Sequence, residues 1–317
     1  MRAETERPKL CPNGRTGAAG RMTEADFFSA LSGIRLLALD LDGTLLTDDK
    51  RLTPRCAGAV RAAVDAGLIP VAVTGRPLSG IPEEVAALPG LRYAICSNGA
   101  VTVDLHSGER LRAALLDPAA ALEIVQLPIE RGLIHSVFVD GVGYCEPQFF
   151  AQQWAFFRDK PIAAYVKKSR RPVEDLRACI LGSGGVENVW FIARSTAERN
   201  ELDALIRGGF RVQTSLTAAL DVEVGDPAAD KGLAILALAR SLGLEREQIL
   251  AIGDNGNDLG LLRAAGLAVA MGNAAADVLA AADYVTDSNE SDGAAKVIEA
   301  LLAAGSRREK LTTGGKA

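Results

Sequence analysis

An unbroken apolar run, Leu-Leu-Ala-Leu at residues 36–39, leads directly into two acids, Asp40 and Asp42. Because the run does not alternate with polar residues, it predicts a strand that is covered on both faces, as strands are in a parallel sheet. Asp40 lies where this strand ends, and Gly43 permits an abrupt turn there. Ligands bind at the carboxyl ends of strands in open α/β sheets, so the two acids mark a candidate site. On its own, the pair is equally consistent with a simple turn.

Two more apolar runs follow the same pattern, and each ends in polar residues and glycine. Residues 69–73 lead into Thr-Gly-Arg at 74–76, and residues 93–96 lead into Ser-Asn-Gly at 97–99. Helical sequence separates the runs, which predicts repeated βαβ units. The same rhythm returns after residue 217. The expected fold class is therefore α/β, with a Rossmann-like, doubly wound parallel sheet as its core.

Residues 101–216 break this rhythm, because short strand-like runs there are mixed with helical sequence, for example at 117–131 and 196–207. This mixture predicts an α+β domain inserted into the core. The predicted division of the chain is a disordered extension at 1–21, a discontinuous core at 22–100 and 217–304, the insert at 101–216 and a flexible tail at 305–317. Whether translation begins at Met1 or Met22 stays open.

Composition narrows the function classes. A formal net charge of -5 gives no reason to expect nucleic acid or an anionic membrane as partner. The five cysteines are widely spaced without a C-x-x-C pair, which suits a cytoplasmic location. With only two histidines, a His-based zinc enzyme or a Ser-His-Asp triad is poorly supported. No apolar stretch reaches the roughly 18 residues that a membrane-spanning helix needs.

Two stretches of the insert have both a plain and a functional interpretation. Six Lys and Arg residues lie between 158 and 171, and we interpret them as a solvated face. Aromatic residues cluster between 149 and 157, and we interpret them as core, with part of a substrate lid as the alternative.

The polar residues that follow the predicted parallel strands fall at one edge of one sheet. Four of them are carboxylates, and each pair at about 4 Å would repel by about 4 kcal/mol at an effective dielectric of about 20, a cost that a divalent cation offsets. Since the group contains neither His nor Cys, its oxygen ligands favour the hard ion Mg²⁺. A hydroxyl, a glycine amide and a lysine suit a phosphate dianion, so the set is sufficient in kind for phosphoryl transfer. The members at strand ends are Asp40, Asp42, Thr74, Gly75, Asn98, Asp254, Asn257 and Asp258, and Lys231 begins a predicted helix nearby.

In its order along the chain, this set resembles the motifs of the haloacid dehalogenase (HAD) superfamily, and within it those of the Cof-type phosphatases. The resemblance covers the core on both sides of the insert, from about residue 34 to 303. The matching segments are Asp40-Leu41-Asp42-Gly43-Thr44-Leu45, Thr74-Gly75-Arg76, Lys231-Gly232, and Gly253-Asp254 with Asn257 and Asp258, together with Ser97-Asn98-Gly99 and Met271-Gly272-Asn273-Ala274.

The resemblance implies a role for each catalytic and metal-binding position. Asp40 would be the nucleophile that forms an aspartyl phosphate, and its other oxygen would bind Mg²⁺. Asp42 would protonate the leaving group and then activate water, with its backbone carbonyl on the metal. Lys231 would neutralise the phosphoryl group and orient the nucleophile. Asp254 would be the principal acidic metal ligand, and Asp258 would assist mainly through water.

The resemblance also implies how substrate is held. Thr74 and the amide of Gly75 would bind the phosphoryl group, and Asn257 would contact phosphate or fix its own loop. Arg76 and Asn98 are candidate substrate contacts. The insert would be a cap that closes over the active site and contacts the leaving group.

These observations predict a Mg²⁺-dependent phosphatase that acts on a small phosphorylated metabolite, such as a sugar phosphate. A phosphomutase or phosphotransferase of the same superfamily is the alternative, because the core motifs do not separate the two reactions. A phosphometabolite-binding regulator is a third, weaker alternative. The motifs determine neither the substrate, nor the cap residues that select it, nor the oligomeric state.

Overall fold

The computed structural model describes residues 22–216 and 219–313. The extension predicted for 1–21 lies outside the described residues. Within them, no helix combines the length and the apolar character that crossing a membrane requires.

The first part of the chain alternates strands and helices as predicted. Thr53 begins the second helix, since its hydroxyl accepts a hydrogen bond from the amide of Cys56 and Pro54 occupies the first helical position. Gly67, at a φ of 78°, follows the end of that helix. The elements are α1 (Glu24–Ala30), β1 (Leu36–Asp40), α2 (Pro54–Asp65), β2 (Ile69–Val73), α3 (Glu83–Ala86), β3 (Tyr93–Cys96), β4 (Val101–Asp104) and β5 (Arg110–Ala113).

The middle part is the inserted region. Its two longest helices lie close to the predicted segments 117–131 and 196–207. Three further helices between residues 147 and 181 are not among the predictions. The elements are α4 (Pro118–Glu130), β6 (Ile134–Val139), β7 (Val142–Cys145), α5 (Pro147–Phe157), α6 (Ala163–Ser169), β8 (Arg170–Pro172), α7 (Leu176–Leu181), β9 (Asn188–Ile192), α8 (Thr196–Gly209), β10 (Gln213–Ser215) and β11 (Asp221–Gly225).

The last part returns to the alternation of strands and helices. Its final helix continues well past residue 305, where the flexible tail was expected to begin, because the segment after 305 is rich in Arg, Glu, Lys and Leu, which favour helix. The elements are α9 (Lys231–Ser241), β12 (Ile249–Gly253), α10 (Leu259–Ala264), β13 (Leu267–Ala270), α11 (Ala276–Ala281), β14 (Tyr284–Val285) and α12 (Gly293–Thr313).

Among the described strands, eight form one sheet in the order β14-β13-β12-β1-β2-β3-β4-β5. From β14 to β3 the neighbours are parallel, and β4 and β5 add an antiparallel edge. Side chains of β1 alternate between two cores: Leu37 and Leu39 pack with α2 and α12, whereas Leu36 and Ala38 pack with α9 and α10. The expected doubly wound α/β fold is thus confirmed. Because β1 lies between β2 and β12, the strand order reverses at β1, which places a crevice at its carboxyl end.

A second sheet, in the order β10-β11-β9-β6-β7-β8, forms the insert. One face packs against α4, α7 and α8 through a core that includes Val189, Phe191 and Val222. The opposite face carries Phe138 and Trp190 and packs against α5 and α6. The predicted α+β cap is therefore present as a separate sheet with its own helices.

The sheet pairing differs from the expected boundaries of the insert, 101–216, at both ends. The hairpin β4–β5 pairs with β3 in the core sheet, and β11, which was assigned to the core at 217–304, pairs with β9 in the second sheet. The alternating pattern of residues 101–105 indicates a hairpin but not which sheet the hairpin joins. Antiparallel edge strands on otherwise parallel sheets are common.

Candidate active site

Asp40 and Lys231 form the buried centre of the site. Asp40 ends β1, and Lys231 begins α9, whose first turn is capped by the side chain of Asp230. The ammonium group of Lys231 donates to Oδ1 of Asp40 at 2.7 Å and to Oδ1 of Asp258 at 2.6 Å. Burial alone would lower the pKa of Lys231, but the charges of Asp258 and Asp40 raise it above its ordinary value. Lys231 is therefore a permanent cation between two carboxylates.

The ionised form of Asp40 depends on positive charge nearby. Burial and the charge of Asp258 raise the pKa of Asp40 well above its ordinary value, although Lys231 acts in the opposite direction. The ionised carboxylate that a nucleophile requires is thus stabilised by cations rather than by solvent.

Three carboxylates converge at this edge and fit a divalent metal ion. Asp40, Asp254 and Asp258 each offer an oxygen, and these oxygens lie within 4.8 Å of one another. Burial and the charge of Asp258 raise the pKa of Asp254 to about 6, although the hydrogen bond from Thr44 and the charge of Lys231 act in the opposite direction. The donor set is all oxygen, as Mg²⁺ prefers.

The turn at Gly43 and the loop after β12 position these carboxylates. Gly43 has a φ of 86°, and a Cβ added there would lie 2.4 Å from Oδ2 of Asp254. Thr44, the next residue, donates its hydroxyl to Oδ1 of Asp254 at 2.9 Å. The backbone amides of Asp254 and Asn255 donate to Oδ2 of Asp258, both at 3.0 Å. The turn after β1 and the loop after β12 therefore hold the acids in place together.

Asp42 lies apart from this cluster and is paired with Arg76. The guanidinium donates from Nε to Oδ2 and from Nη2 to Oδ1 of Asp42, both at 2.7 Å, and Lys50 lies 3.2 Å from Oδ1. Arg76 is itself fixed, since its Nη1 donates to the carbonyl of Gly80. Burial raises the pKa of Asp42, but the hydrogen bonds and charges of Arg76 and Lys50 outweigh it and hold the pKa below its ordinary value. Asp42 is consequently ionised in this arrangement.

The residues predicted to hold phosphate lie together beside the acids. Thr74 and Gly75 follow β2, and the hydroxyl of Thr74 accepts a hydrogen bond from the amide of Arg76 at 3.1 Å. A Cβ added at Gly75 would meet Oδ1 of Asn98 at 3.0 Å and Nδ2 of Asn257 at 3.6 Å. Nδ2 of Asn257 donates to Oδ1 of Asn98 at 2.9 Å.

Asn98 and Asn257 occupy different positions relative to the cavity. Asn257 lines the main cavity, whereas Asn98 is buried behind it and donates its Nδ2 to the carboxylate of Glu223 in the insert. The geometry thus places Asn98 between the phosphate-binding loop and the insert rather than in the cavity wall.

The insert covers this edge of the core sheet and encloses a cavity of about 440 Å³. The core side of the cavity includes Asp40, Asp42, Thr74 and Asp254. The insert contributes a second wall, formed by Phe157, Tyr165, Arg170, Trp190, Asp221 and Glu223.

Sequence reasoning missed most of this second wall. Arg170, expected on a solvated face, is 3% exposed, and its guanidinium carbon lies 4.3 Å, 4.9 Å and 5.4 Å from the ring centres of Phe138, Tyr165 and Trp190. Its Nε–H has no hydrogen-bond partner among the described residues. The side chain passes over Gly143 of the neighbouring strand β7, where an added Cβ would lie 2.6 Å from Cδ of Arg170. No local pattern in the sequence signals this burial.

For the two acids of β11 a signal was available. Asp221 and Glu223 alternate with the buried Val222 and Val224, which places both acids on one face of the strand. That face is the one that carries Trp190, because Glu223 pairs with Trp190 in the sheet register. Burial and the charge of Asp221 raise the pKa of Glu223 to about 7.

Comparison with known proteins gives consistent matches over most of the chain. A family model described as haloacid dehalogenase-like hydrolase matches residues 37–298. The chain is 31% identical over 276 residues to the pyridoxal phosphate phosphatase YbhA of Escherichia coli (strain K12), a match that covers 84% of this chain and 98% of that protein. It is 28% identical over 265 residues to the 5-amino-6-(5-phospho-D-ribitylamino)uracil phosphatase YcsE of Bacillus subtilis (strain 168), covering 84% and 94%. The crystal structure of a haloacid dehalogenase-like hydrolase from Bacteroides thetaiotaomicron superposes with a TM-score of 0.72 at 26% identity, covering 84% of this chain and 98% of that one.

Proposed function

The chain belongs to the haloacid dehalogenase-like hydrolase family and is a phosphoric monoester hydrolase, and from this premise we propose that it hydrolyses a small phosphorylated metabolite through an aspartyl phosphate on Asp40, with Mg²⁺ as cofactor. The observation that carries the proposal is the contact of Lys231 with both Asp40 and Asp258 beside a third carboxylate, Asp254. This arrangement holds a nucleophile and a cation at the switch point of the sheet.

In the first step, a carboxylate oxygen of Asp40 attacks phosphorus, and the bond from phosphorus to the leaving oxygen breaks. Lys231 keeps Asp40 ionised and fixes its carboxylate. The hydroxyl of Thr74 and the amide of Gly75 hold the phosphoryl oxygens. When bound by Asp40, Asp254 and Asp258, with the Asp42 carbonyl as the further proposed ligand, Mg²⁺ would neutralise charge on the carboxylates and the phosphoryl group.

Asp42 moves the protons. When the pairing with Arg76 loosens, Asp42 takes a proton from solvent, and in the first step its carboxyl gives this proton to the leaving oxygen. In the second step its carboxylate takes a proton from the water that attacks the aspartyl phosphate, and the lowered pKa of Asp42 keeps the carboxylate ionised for that task. Arg76 therefore controls the charge state of Asp42 in this proposal, and because it also lines the cavity it stays a candidate substrate contact.

The insert acts as the cap in this proposal. Its wall of Tyr165, Arg170 and Trp190 faces the catalytic acids across the cavity, so the leaving group of the substrate would lie against it. The cavity of about 440 Å³ suits a sugar phosphate or a phosphomonoester of similar size. The proposed location is the cytoplasm, in keeping with the four described cysteines, all of which are free thiols.

The test is release of inorganic phosphate from p-nitrophenyl phosphate and from a panel of metabolite monoesters, with Mg²⁺ or with EDTA. We expect activity in Mg²⁺, loss of activity in EDTA, and no measurable activity in Asp40→Asn. Asp65→Asn, at an exposed position on α2, is the matched control and should behave as wild type. Unchanged activity in Asp40→Asn would rule out the mechanism. Movement of phosphate within a hexose phosphate, without its release, would indicate a mutase instead.

A further inference from the structure

The turn that follows β3 joins the phosphate-binding loop to the insert. Its three residues, Ser97, Asn98 and Gly99, have φ angles of 50°, 55° and 96°. Two of these residues are not glycine, and such a conformation persists only where the surroundings enforce it. The amides of Ser97 and Asn98 donate to the carbonyls of Arg76 and Thr74, at 2.9 Å and 3.1 Å. The backbone of the turn is therefore fixed to the loop that would hold phosphate.

The side chains of the same turn reach two carboxylates of the insert. Ser97 donates its hydroxyl to Oε2 of Glu187 at 2.5 Å, and Oε1 of Glu187 accepts the amide of Gly141 at 2.7 Å. Asn98 donates its Nδ2 to Oε2 of Glu223. Two adjacent residues of the core are thus held by two different acids of the cap.

Only the second of these contacts continues toward the site. Oδ1 of Asn98 accepts from Nδ2 of Asn257, which lines the cavity beside Gly75. Oε2 of Glu223 accepts from Nδ2 of Asn98, and this contact sets the orientation of the Asn98 amide. Oδ1 of Asn98 then faces Asn257 and takes one of its two N–H groups. Among the described hydrogen bonds the other N–H of Asn257 has no partner, so it is available to a ligand in the cavity.

We propose that Glu223 is a positioning residue of the cap, which acts through Asn98 to hold the amide of Asn257 as a hydrogen-bond donor to the phosphoryl group during transfer. This inference rests on the proposed phosphatase function. Glu223 lies on β11 of the second sheet, whereas Asn98 and Asn257 lie in the core. The amide of Asn257 is therefore held in place only when the second sheet is packed against the core. The two hydrogen bonds run in one direction: Asn257 donates to Asn98, and Asn98 donates to Glu223.

Glu187 provides a matched control. It is also a buried acid of the insert that bonds to the same turn, but its partners are Ser97 and Gly141, neither of which contacts Asn257 in the described hydrogen bonds. Removal of Glu187 weakens the anchoring of the cap to the turn, whereas removal of Glu223 also frees the amide of Asn98 to rotate.

The experiment compares Glu223→Ala, Glu223→Gln and Glu187→Ala in the full chain, by steady-state hydrolysis of p-nitrophenyl phosphate and two unrelated metabolite monoesters. We expect Glu223→Ala to lower kcat by about 10-fold to 100-fold, with KM changed by less than about threefold and the same loss for every substrate, because the lost donor contacts the phosphoryl group. Glu223→Gln keeps an acceptor for Asn98 and should recover most of kcat. Glu187→Ala should lower the melting temperature but leave kcat near that of wild type.

Two further measurements make the assignment specific. Binding of tungstate, a phosphate mimic, measured by calorimetry in the presence of Mg²⁺, should weaken in Glu223→Ala and not in Glu187→Ala. Asn257→Ala should lower kcat as much as Glu223→Ala does, and the double variant should lose little more, because the two residues act in one chain.

Three outcomes would overturn the proposal. A KM effect that depends on the leaving group, with kcat unchanged, would mean that Glu223 contacts the leaving group directly. Equal behaviour of Glu223→Ala and Glu187→Ala would mean that Glu223 only anchors the cap. Additive losses in the double variant would break the chain between Glu223 and Asn257. Failure of the proposed function is a separate result, in which the wild type releases no phosphate; tungstate binding to the variants then decides the inference.

Discussion

Replacement of Asp254 by Asn should have opposite effects on stability with and without Mg²⁺. Asp254, Asp40 and Asp258 bring three carboxylate oxygens within 4.8 Å of one another. Asn has nearly the same shape as Asp, and its carbonyl can still accept the hydroxyl of Thr44 that now bonds to Oδ1. The substitution therefore removes a charge from the cluster without leaving a cavity.

The pKa of Asp254 sets the magnitude of the effect. Burial and the charge of Asp258 raise it from an ordinary value of 3.8 to about 6. Since a tenfold change in proton binding corresponds to about 1.4 kcal/mol, keeping Asp254 ionised costs up to about 3 kcal/mol. Water screens a partly exposed group, so we expect Asp254→Asn to gain about 1 to 3 kcal/mol in the free energy of unfolding in EDTA at neutral pH.

The sign of the pH dependence follows from the same shift. Because the folded protein binds this proton more tightly than the unfolded chain, the contribution of Asp254 to the free energy of unfolding falls as the pH rises from about 4 to about 6. The advantage of Asp254→Asn over wild type should therefore be close to zero near pH 4 and reach its full value above about pH 7.

Added Mg²⁺ should reverse the order of stability. A ligand that binds only the folded state at one thousand times its dissociation constant stabilises by about 4.1 kcal/mol, and the variant should lose most of that gain. Urea unfolding of wild type, Asp254→Asn and the control Asp65→Asn, each in EDTA and in Mg²⁺, measures the effect. The reasoning would be refuted if Asp254→Asn destabilised the protein equally in both conditions.

Two other substitutions probe different parts of the molecule. Lys231→Met should lower kcat by at least about a hundredfold, because Asp40 loses the buried cation that neutralises it. For the same reason it should lower the free energy of unfolding in urea by about 3 to 5 kcal/mol. A near-normal kcat would contradict the role given to Lys231. Gly143→Ala should cost about 1 to 3 kcal/mol because its Cβ would lie 2.6 Å from Cδ of Arg170. Gly184→Ala, with no atom within 4 Å of the added Cβ, is the control, and equal stability of the two variants would contradict the packing seen at Arg170.

The parallel core could be predicted from the sequence because its signals are local. The apolar run before Asp40 is buried on both faces of the sheet, as an unbroken run of apolar residues predicts. Polar residues at the carboxyl ends of such strands must meet at one edge. For that reason the sequence could bring Asp40, Thr74 and Asp254 into one group, with Lys231 beginning a helix nearby, as the structure does.

The cap wall could not be predicted because its contacts join distant segments. Arg170 is part of a polar run that is typical of a solvated face, and only the rings of Phe138, Tyr165 and Trp190 account for its burial. The hairpin at 101–113 shows the same limit, because alternation identifies paired strands but not their sheet.

The charge state of Asp42 also depends on a distant partner. Its pairing with Arg76 joins residues 34 positions apart, and neither motif alone indicates that the two side chains meet. Arg76, predicted as a candidate substrate contact, lines the cavity. In the structure that cation is already paired with the acid that would move protons.

The most direct test of the central claim is detection of the phosphoryl group on Asp40. In Asp42→Asn, p-nitrophenyl phosphate should still transfer its phosphoryl group, because p-nitrophenolate leaves without a proton, whereas hydrolysis of the aspartyl phosphate should slow for lack of a base. Acid quench, digestion with pepsin at acid pH, where an acyl phosphate survives, and mass spectrometry of the peptide that contains Asp40 report the modification. The account predicts one phosphoryl group on this peptide at Asp40, and none after Asp40→Asn is added. Steady phosphate release with this peptide unmodified, or phosphate on another residue, would contradict it.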